Sequence, residues 1–262
     1  MERIALLLMV VFFAAGGQQD KVTGLCMISD ARHHPPRVHT SDVELRTTGC
    51  EEDTSGCGSS ENSNIAWSRW TGITEDDLEH EGAQLSANLH GDAGDLHCTG
   101  TVHQEILAGR YEFTPNPAFL RKMTSMGFGD ITSRKLEGFL LLDITTEWVQ
   151  QMKDAGVTDL SVGKMMGMKA LGVDLIYIHG LAAAGFPELR SSKLTEMKAV
   201  GVTPEKVEEA HALGFQPSES DLIQMCIFKI DRPFIERMKA RGLKDLSLQK
   251  LIQIKIFKLD EE

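Results

Sequence analysis

Apolar residues in the C-terminal half of the chain recur in a fixed order, with a period of 28 or 29 residues. Each period contains a glycine followed by an apolar residue, and these glycines are Gly127, Gly156, Gly185, Gly214 and Gly242. A second apolar series runs in phase with them: Leu136, Met165, Leu194, Leu222 and Leu251. Two series that share one period predict a supersecondary unit repeated five times.

Polar residues and prolines divide each unit into two helices. The sequence Thr203-Pro204-Glu205 predicts a helix start, with a side-chain cap, proline at the first position and an acid in the first turn. The repeated glycine predicts the end of this helix, because glycine adopts the left-handed conformation at low cost. A second helix is predicted after an aligned cap, which Arg190 interrupts: Thr132, Ser161, Ser218 and Ser247. Such short helices are marginal alone, so residues 115–262 are expected to form a solenoid of about five stacked αα-hairpins.

Residues 41–114 have a different pattern, in which apolar and polar positions alternate. Leu85, Ala87 and Leu89 show this alternation, which is typical of a half-buried β-strand. The segments 91–94 and 108–109 contain the small residues of turns, so we expect an antiparallel β domain. The fold class is therefore predicted as α+β, a small N-terminal antiparallel β domain followed by the αα-hairpin repeat solenoid.

Two tryptophans, Trp67 and Trp70, are expected in the core of the β domain. The alternative is that the two rings form a ligand platform.

The N-terminal residues are expected to lie outside both folded parts. Residues 1–17 combine an early Arg3, an apolar run and small residues suited to cleavage, as in a secretory signal peptide. The alternative is an uncleaved membrane anchor, although the run is short for a bilayer span. Residues 18–40 hold histidines and prolines and are predicted to be a flexible lead-in.

Charge is concentrated in the predicted β domain. Residues 50–112 hold thirteen acidic and two basic residues, whereas the rest of the chain is balanced. Neither part offers the basic patch that phosphate backbones require, so nucleic acid is not an expected partner. The acidic face is interpreted as a solvated surface, because no calcium-loop spacing accompanies it.

The five cysteines suit an oxidising compartment, and the expected location is secreted or periplasmic. Cys50 and Cys57 flank a short polar segment that can close into a disulfide loop. Cys26 with Cys98 would form a second pair, although spacing alone leaves the connectivity open. Cys226 remains, either as a reactive thiol or as an inert, half-buried side chain.

Catalytic and metal-binding patterns are incomplete. His80-Glu81 begins like a zinc metalloprotease motif, but the second histidine is missing. His90, His97 and His103 are close in sequence and are the only metal candidates, although alternation along a strand argues against a site with Cys98. No nucleophile and base stand in a recognisable pattern, so neither enzymatic activity nor a cofactor is expected.

Four segments resemble a family of exported bacterial proteins. Residues 94–100 and 108–119 resemble that family's junction, in which a glycine-punctuated β segment ends in an aromatic-Thr-Pro turn before short helical repeats. Residues 168–173 and 197–202 are similar to its repeat core of about 29 residues. Similar repeats are appended to the extracytoplasmic part of some beta-lactam-sensor-type metallopeptidases. The resemblance implies a sensing or interaction module, and it does not extend to peptidase activity because the complete zinc motif and the transmembrane helices are absent from this sequence.

The functional expectation is a non-enzymatic exported repeat protein that binds another protein or a cell-envelope component. Lysines that are expected to be exposed recur at two equivalent repeat positions and are the candidate binding face: Lys153, Lys169, Lys198, Lys239 and Lys255. Ordinary solubilising charge is the alternative interpretation of these lysines. The competing function is a small-ligand or metal-ion sensor that uses the acidic, His-containing β domain.

Overall fold

A computed structural model of the chain describes residues 21–30, 42–51 and 57–260. Within these ranges an antiparallel β-sheet is followed by α-helices, which confirms the α+β class. Buried apolar side chains of the sheet and the helices form one continuous cluster. The predicted signal peptide, residues 1–17, lies outside the described residues.

Seven strands of the described ranges form one sheet in the order β3-β2-β1-β7-β6-β5-β4. Every neighbouring pair is antiparallel. The strands are β1 (Val22–Asp30), β2 (Asp42–Glu51), β3 (Cys57–Ala66), β4 (Trp70–Thr71), β5 (Gln84–Gly91), β6 (Gly94–His103) and β7 (Ile106–Pro115).

The predicted flexible lead-in at 18–40 is wrong for Val22–Asp30, which forms the interior strand β1. This strand pairs with β2 on one side and with β7 on the other. Its inward residues Val22, Cys26 and Ile28 are buried, but Gly24 interrupts their alternation in the sequence. The β domain therefore begins about twenty residues before the predicted boundary at residue 41.

One predicted turn is confirmed and the other is wrong. The chain turns between β5 and β6 within the predicted segment 91–94. Ala108-Gly109 lies instead inside β7, and the preceding turn is Gln104-Glu105, with φ angles of 51° and 62°. Two residues with positive φ give the twist that a two-residue hairpin needs.

The disulfide Cys26–Cys98 joins β1 to β6, two strands separated by β7. The two Cα atoms are only 6.3 Å apart. Gly109 of the intervening strand allows this close approach, because a Cβ there would lie 1.9 Å from the carbonyl oxygen of Thr99. The other predicted disulfide, Cys50–Cys57, joins neighbouring strands β2 and β3.

The described helices are all nine residues long and follow one another as five pairs. They are α1 (Pro117–Ser125), α2 (Ser133–Leu141), α3 (Thr146–Asp154), α4 (Val162–Ala170), α5 (Leu175–Ala183), α6 (Ser191–Ala199), α7 (Pro204–Ala212), α8 (Glu219–Ile227), α9 (Arg232–Ala240) and α10 (Leu248–Ile256). We call α1–α2 the first helix pair and α9–α10 the fifth.

Local signals at the helix ends are confirmed. The four aligned Ser and Thr caps each accept a hydrogen bond from a backbone N–H, whereas Arg190 makes no side-chain cap. The five repeated glycines have φ angles between 80° and 111°. The residue after each one bonds back into the helix, as Phe128 N does to Met123 O at 3.0 Å. These are the bonds of a Schellman cap.

Most helices contact the helix two positions further along the chain. The pairs with such contacts are α1 with α3, α5 with α7, and each of α2, α4, α6 and α8 with the next even-numbered helix. Helix α2 also packs on β6 and β7, where Leu136 and Phe139 are fully buried. Trp70 is buried and Trp67 is partly buried against the same cluster, so both belong to the core as predicted.

A buried polar network joins α2 to the sheet. Glu137 of α2 accepts hydrogen bonds from Arg134 Nη1 at 2.9 Å and from Thr47 Oγ1 at 3.1 Å. Arg134 also donates to the Tyr111 hydroxyl and to the carbonyl oxygens of Gly49 and Gly58. Because the carboxylate is only 2% exposed, its pairing with the guanidinium is essential.

A second polar contact links the second helix pair to the third. Asp159, with φ of 54°, precedes α4, and its carboxylate accepts a hydrogen bond from Ser191 N at 2.9 Å and from Lys164 Nζ at 2.5 Å. Hydrogen bonds to Lys164 and Ser191 lower the pKa of Asp159 to about 2. This carboxylate fixes the start of α6 beside the loop before α4.

Candidate functional site

Three of the five candidate lysines are half-buried over aromatic rings. Lys169 lies over Trp148 at 5.3 Å from the ring centroid, Lys198 over Tyr177 at 4.3 Å and Lys255 over Phe234 at 4.4 Å. The expectation that these lysines are exposed is therefore wrong, and each contributes a cation–π contact within its own helix pair. Burial also lowers the pKa of Lys169.

The other two candidate lysines remain on the surface. Lys153 is exposed, and its Nζ lies 5.8 Å from the ring centroid of Phe128. Lys239 is exposed on α9, beside an open groove between the loops that follow α7 and α9. Lys153 Nζ also donates to the carbonyl oxygen of Met126 at 3.1 Å, so this lysine links α3 to the end of α1.

The rings under the lysines belong to a repeated position that the sequence analysis missed. The third residue of the first helix in four pairs is a buried aromatic: Phe119, Trp148, Tyr177 and Phe234. The fourth pair has Lys206 there, and the side chain is exposed. The signal was available, because these residues recur with the same period as the glycines.

The lysine of the pair is also replaced in the fourth helix pair. Cys226 of α8 is at the position of Lys169, Lys198 and Lys255. Cys226 is the free cysteine of the described residues, it is half-buried, and its Sγ lies 3.7 Å from Lys206 Nζ. The aromatic–lysine pair of the second, third and fifth helix pairs is replaced here by a lysine–cysteine pair.

A cavity of about 220 Å³ lies at this interruption, and we call it the fourth-pair cavity. It is bounded by α7, α8 and the first residues of α9. Its walls are largely apolar, with Ala210, Leu222, Met225 and Ile230, and Cys226 lies among them. Charged residues also line the cavity: Lys206, Glu209, Lys229, Asp231 and Arg232.

The three candidate histidines are not brought together. His90 Nδ1 pairs with Asp95 Oδ1 at 2.7 Å. His97 Nδ1 lies 2.5 Å from Asn88 Oδ1, and His103 Nδ1 lies 2.9 Å from Glu81 Oε1. The hydrogen bond to His103 lowers the pKa of Glu81. Among the described residues no group of three or more His, Cys, Asp or Glu is placed to hold a metal ion.

No protein-family model, curated protein or solved structure matches this chain.

Proposed function

We propose that this chain is a non-enzymatic exported protein whose ten described helices form an αα-hairpin solenoid that binds another protein or a cell-envelope component. The contacts between helices two positions apart support the solenoid, since stacked hairpins bring equivalent helices together. Stacked repeats of this kind generally present extended binding surfaces.

The interruption in the fourth helix pair is the observation that carries the proposal. Repeated positions hold the residues that stacking needs, and a buried aromatic ring is one of them in four pairs. Replacing such a ring by an exposed lysine forfeits apolar burial, on the order of 3 kcal/mol for a large side chain. An open, largely apolar cavity that replaces such a stabilising contact is typical of a binding site.

Export is part of the proposal. The two disulfides fit a protein that folds in an oxidising compartment, secreted or periplasmic. None of the described helices has the length and apolar character needed to cross a bilayer. The predicted signal peptide and the resemblance to exported repeat proteins point to the same location.

The alternative function, a small-ligand or metal-ion sensor in the acidic, His-containing β domain, has less support. The histidines expected to form it each pair with a different side chain. The function is therefore assigned to the helices rather than to the acidic sheet.

Site-directed photo-crosslinking tests the proposal. A thiol-reactive photo-crosslinker is attached to Lys229→Cys, at the cavity, in a Cys226→Ala background, and the protein is exposed to envelope extract of the native host. The matched control carries Lys135→Cys, an exposed position on α2, in the same background. We expect a component that crosslinks from position 229 and not from position 135. No retained component, or the same components from both positions, would refute the proposal.

A further inference from the structure

We propose that the fourth-pair cavity binds a single aromatic ring carrying an anionic group, in the position that an aromatic side chain fills in the other helix pairs. This inference rests on the proposed binding function and names the chemistry that the site recognises.

The cavity lies where the third helix pair has the ring of Tyr177, as a comparison of equivalent residues indicates. The ring of Tyr177 lies under Lys198, and its hydroxyl donates to the carbonyl oxygen of Val202 at 3.0 Å. The residues 28 positions after Lys198 and Val202 are Cys226 and Ile230, and both line the cavity. The two groups that hold the Tyr177 ring thus have counterparts on the cavity wall, whereas the aromatic ring is replaced by Lys206.

The size of the cavity limits its occupant to about one ring. Its volume is about 220 Å³. Apolar cavities of about 150 Å³ take up benzene, whereas pockets for drug-sized ligands occupy roughly 300–1,000 Å³. The side chain of Met225 suits an aromatic occupant, because thioethers make favourable contacts with aromatic rings.

The charges that line the cavity favour an anionic substituent. Arg232 Nε pairs with Glu209 Oε1 at 3.3 Å, and Asp231 caps α9 by accepting from Phe234 N at 2.9 Å. Three cationic and two acidic side chains line the cavity, so one positive charge is in excess there. Lys206 and Lys229 are the cations outside the Arg232–Glu209 pair, and Lys206 Nζ also donates to the carbonyl oxygen of Gly201 at 2.7 Å. A carboxylate or phenolate attached to the ring would neutralise this excess, and an ammonium close to the ring face would add cation–π attraction.

Calorimetric titration of the full chain tests the inference. The probes are phenylacetate, cyclohexylacetate and acetate, together with the capped peptides Glu-Phe-Glu and Glu-Leu-Glu. We expect saturable binding of phenylacetate, with cyclohexylacetate weaker and acetate silent. Tighter binding of Glu-Phe-Glu than of phenylacetate would assign the ring to a side chain of a partner protein, and the reverse order would assign it to a free small molecule.

Two variants that fill the cavity make the test specific. Lys206→Phe restores the repeated aromatic and should weaken binding of the preferred probe by about tenfold or more, with a higher melting temperature. Ala210→Leu fills the same space from another wall and provides a second readout if Lys206→Phe does not fold. Lys135→Phe adds an equivalent exposed ring on α2 and should leave binding unchanged.

The inference would be overturned if neither phenylacetate nor Glu-Phe-Glu showed saturable binding. It would also be overturned if binding stayed unchanged in both filling variants, Lys206→Phe and Ala210→Leu. Equal binding of acetate and phenylacetate would also overturn it. The titration needs no partner protein, so the two experiments can give different results. If no aromatic probe binds but position 229 crosslinks a component, the proposed aromatic ligand is rejected and the proposed binding function is retained.

Discussion

The two disulfides should stabilise the sheet by different amounts, because they close loops of very different length. Cys26 and Cys98 are 72 residues apart, and Cys50 and Cys57 are 7 apart. In the chain-entropy treatment the longer loop is worth about 4.4 kcal/mol and the shorter about 2.4 kcal/mol at 25 °C. Cys26 and Cys98 are also buried, so replacing them with alanine removes packing in addition to the cross-link.

Urea unfolding of Cys26→Ala/Cys98→Ala and Cys50→Ala/Cys57→Ala measures the two contributions. A Trp148→Phe background confines tryptophan fluorescence to Trp67 and Trp70, beside the sheet. We expect the first double variant to lose at least about 2 kcal/mol more free energy of unfolding than the second, since the packing loss adds to the difference in loop entropy. Cys226→Ala serves as a control that removes no cross-link. Equal losses, or a larger loss for the Cys50–Cys57 loop, would refute the reasoning.

Two predictions concern pH. Burial and the nearby Glu137 raise the pKa of Tyr111 to about 12, and burial raises the pKa of Tyr177. These are the chain's two tyrosines, so tyrosinate absorbance should stay low in the folded protein at about pH 10, where free tyrosine is half ionised. The raised tyrosine pKa values contribute to the stability of the folded state below about pH 10, and this contribution is lost as the pH rises towards 12. An absorbance titration with a midpoint near pH 10 would contradict this prediction. Asp159 has a folded pKa of about 2 against a usual 3.8, so its stabilisation is present above pH 3.8 and is lost as the pH falls through about 2. Asp159→Asn should therefore have a lower melting temperature than the parent at neutral pH and nearly the same one near pH 2, and an equal deficit at both would count against the role of the carboxylate.

Helix boundaries could be predicted from the sequence because their signals are local. A serine cap such as Ser161 and a glycine such as Gly156 act within one turn of the helix they limit. Strand β1 could not be found in this way, since its partners β7 and β2 are supplied by distant parts of the chain and Gly24 breaks its pattern. The turn at Gln104-Glu105 lacks glycine and adopts positive φ because the flanking strands require it.

Only part of the candidate site could be predicted from the sequence. The alignment of Cys226 with the repeated lysines could be read directly, and so could the aromatic column that Lys206 interrupts. The cavity beside Lys206 could not be predicted, because it depends on how α7, α8 and α9 pack together. No single segment of the sequence determines that packing. The lysines were misjudged for a related reason, because long side chains such as Lys198 cover a ring while their charged ends reach the surface.

The contacts between helices two positions apart have a consequence for how such a protein can evolve. In the proposed solenoid each unit of 28 or 29 residues would depend on its immediate neighbours, and the sheet touches mainly the first pair through α2. Tandem duplication or loss of one unit would therefore preserve the interface geometry of all surviving units. In that arrangement the number of units, and with it the number of cavities like the fourth-pair cavity, could change by recombination while the cross-linked sheet stays as it is.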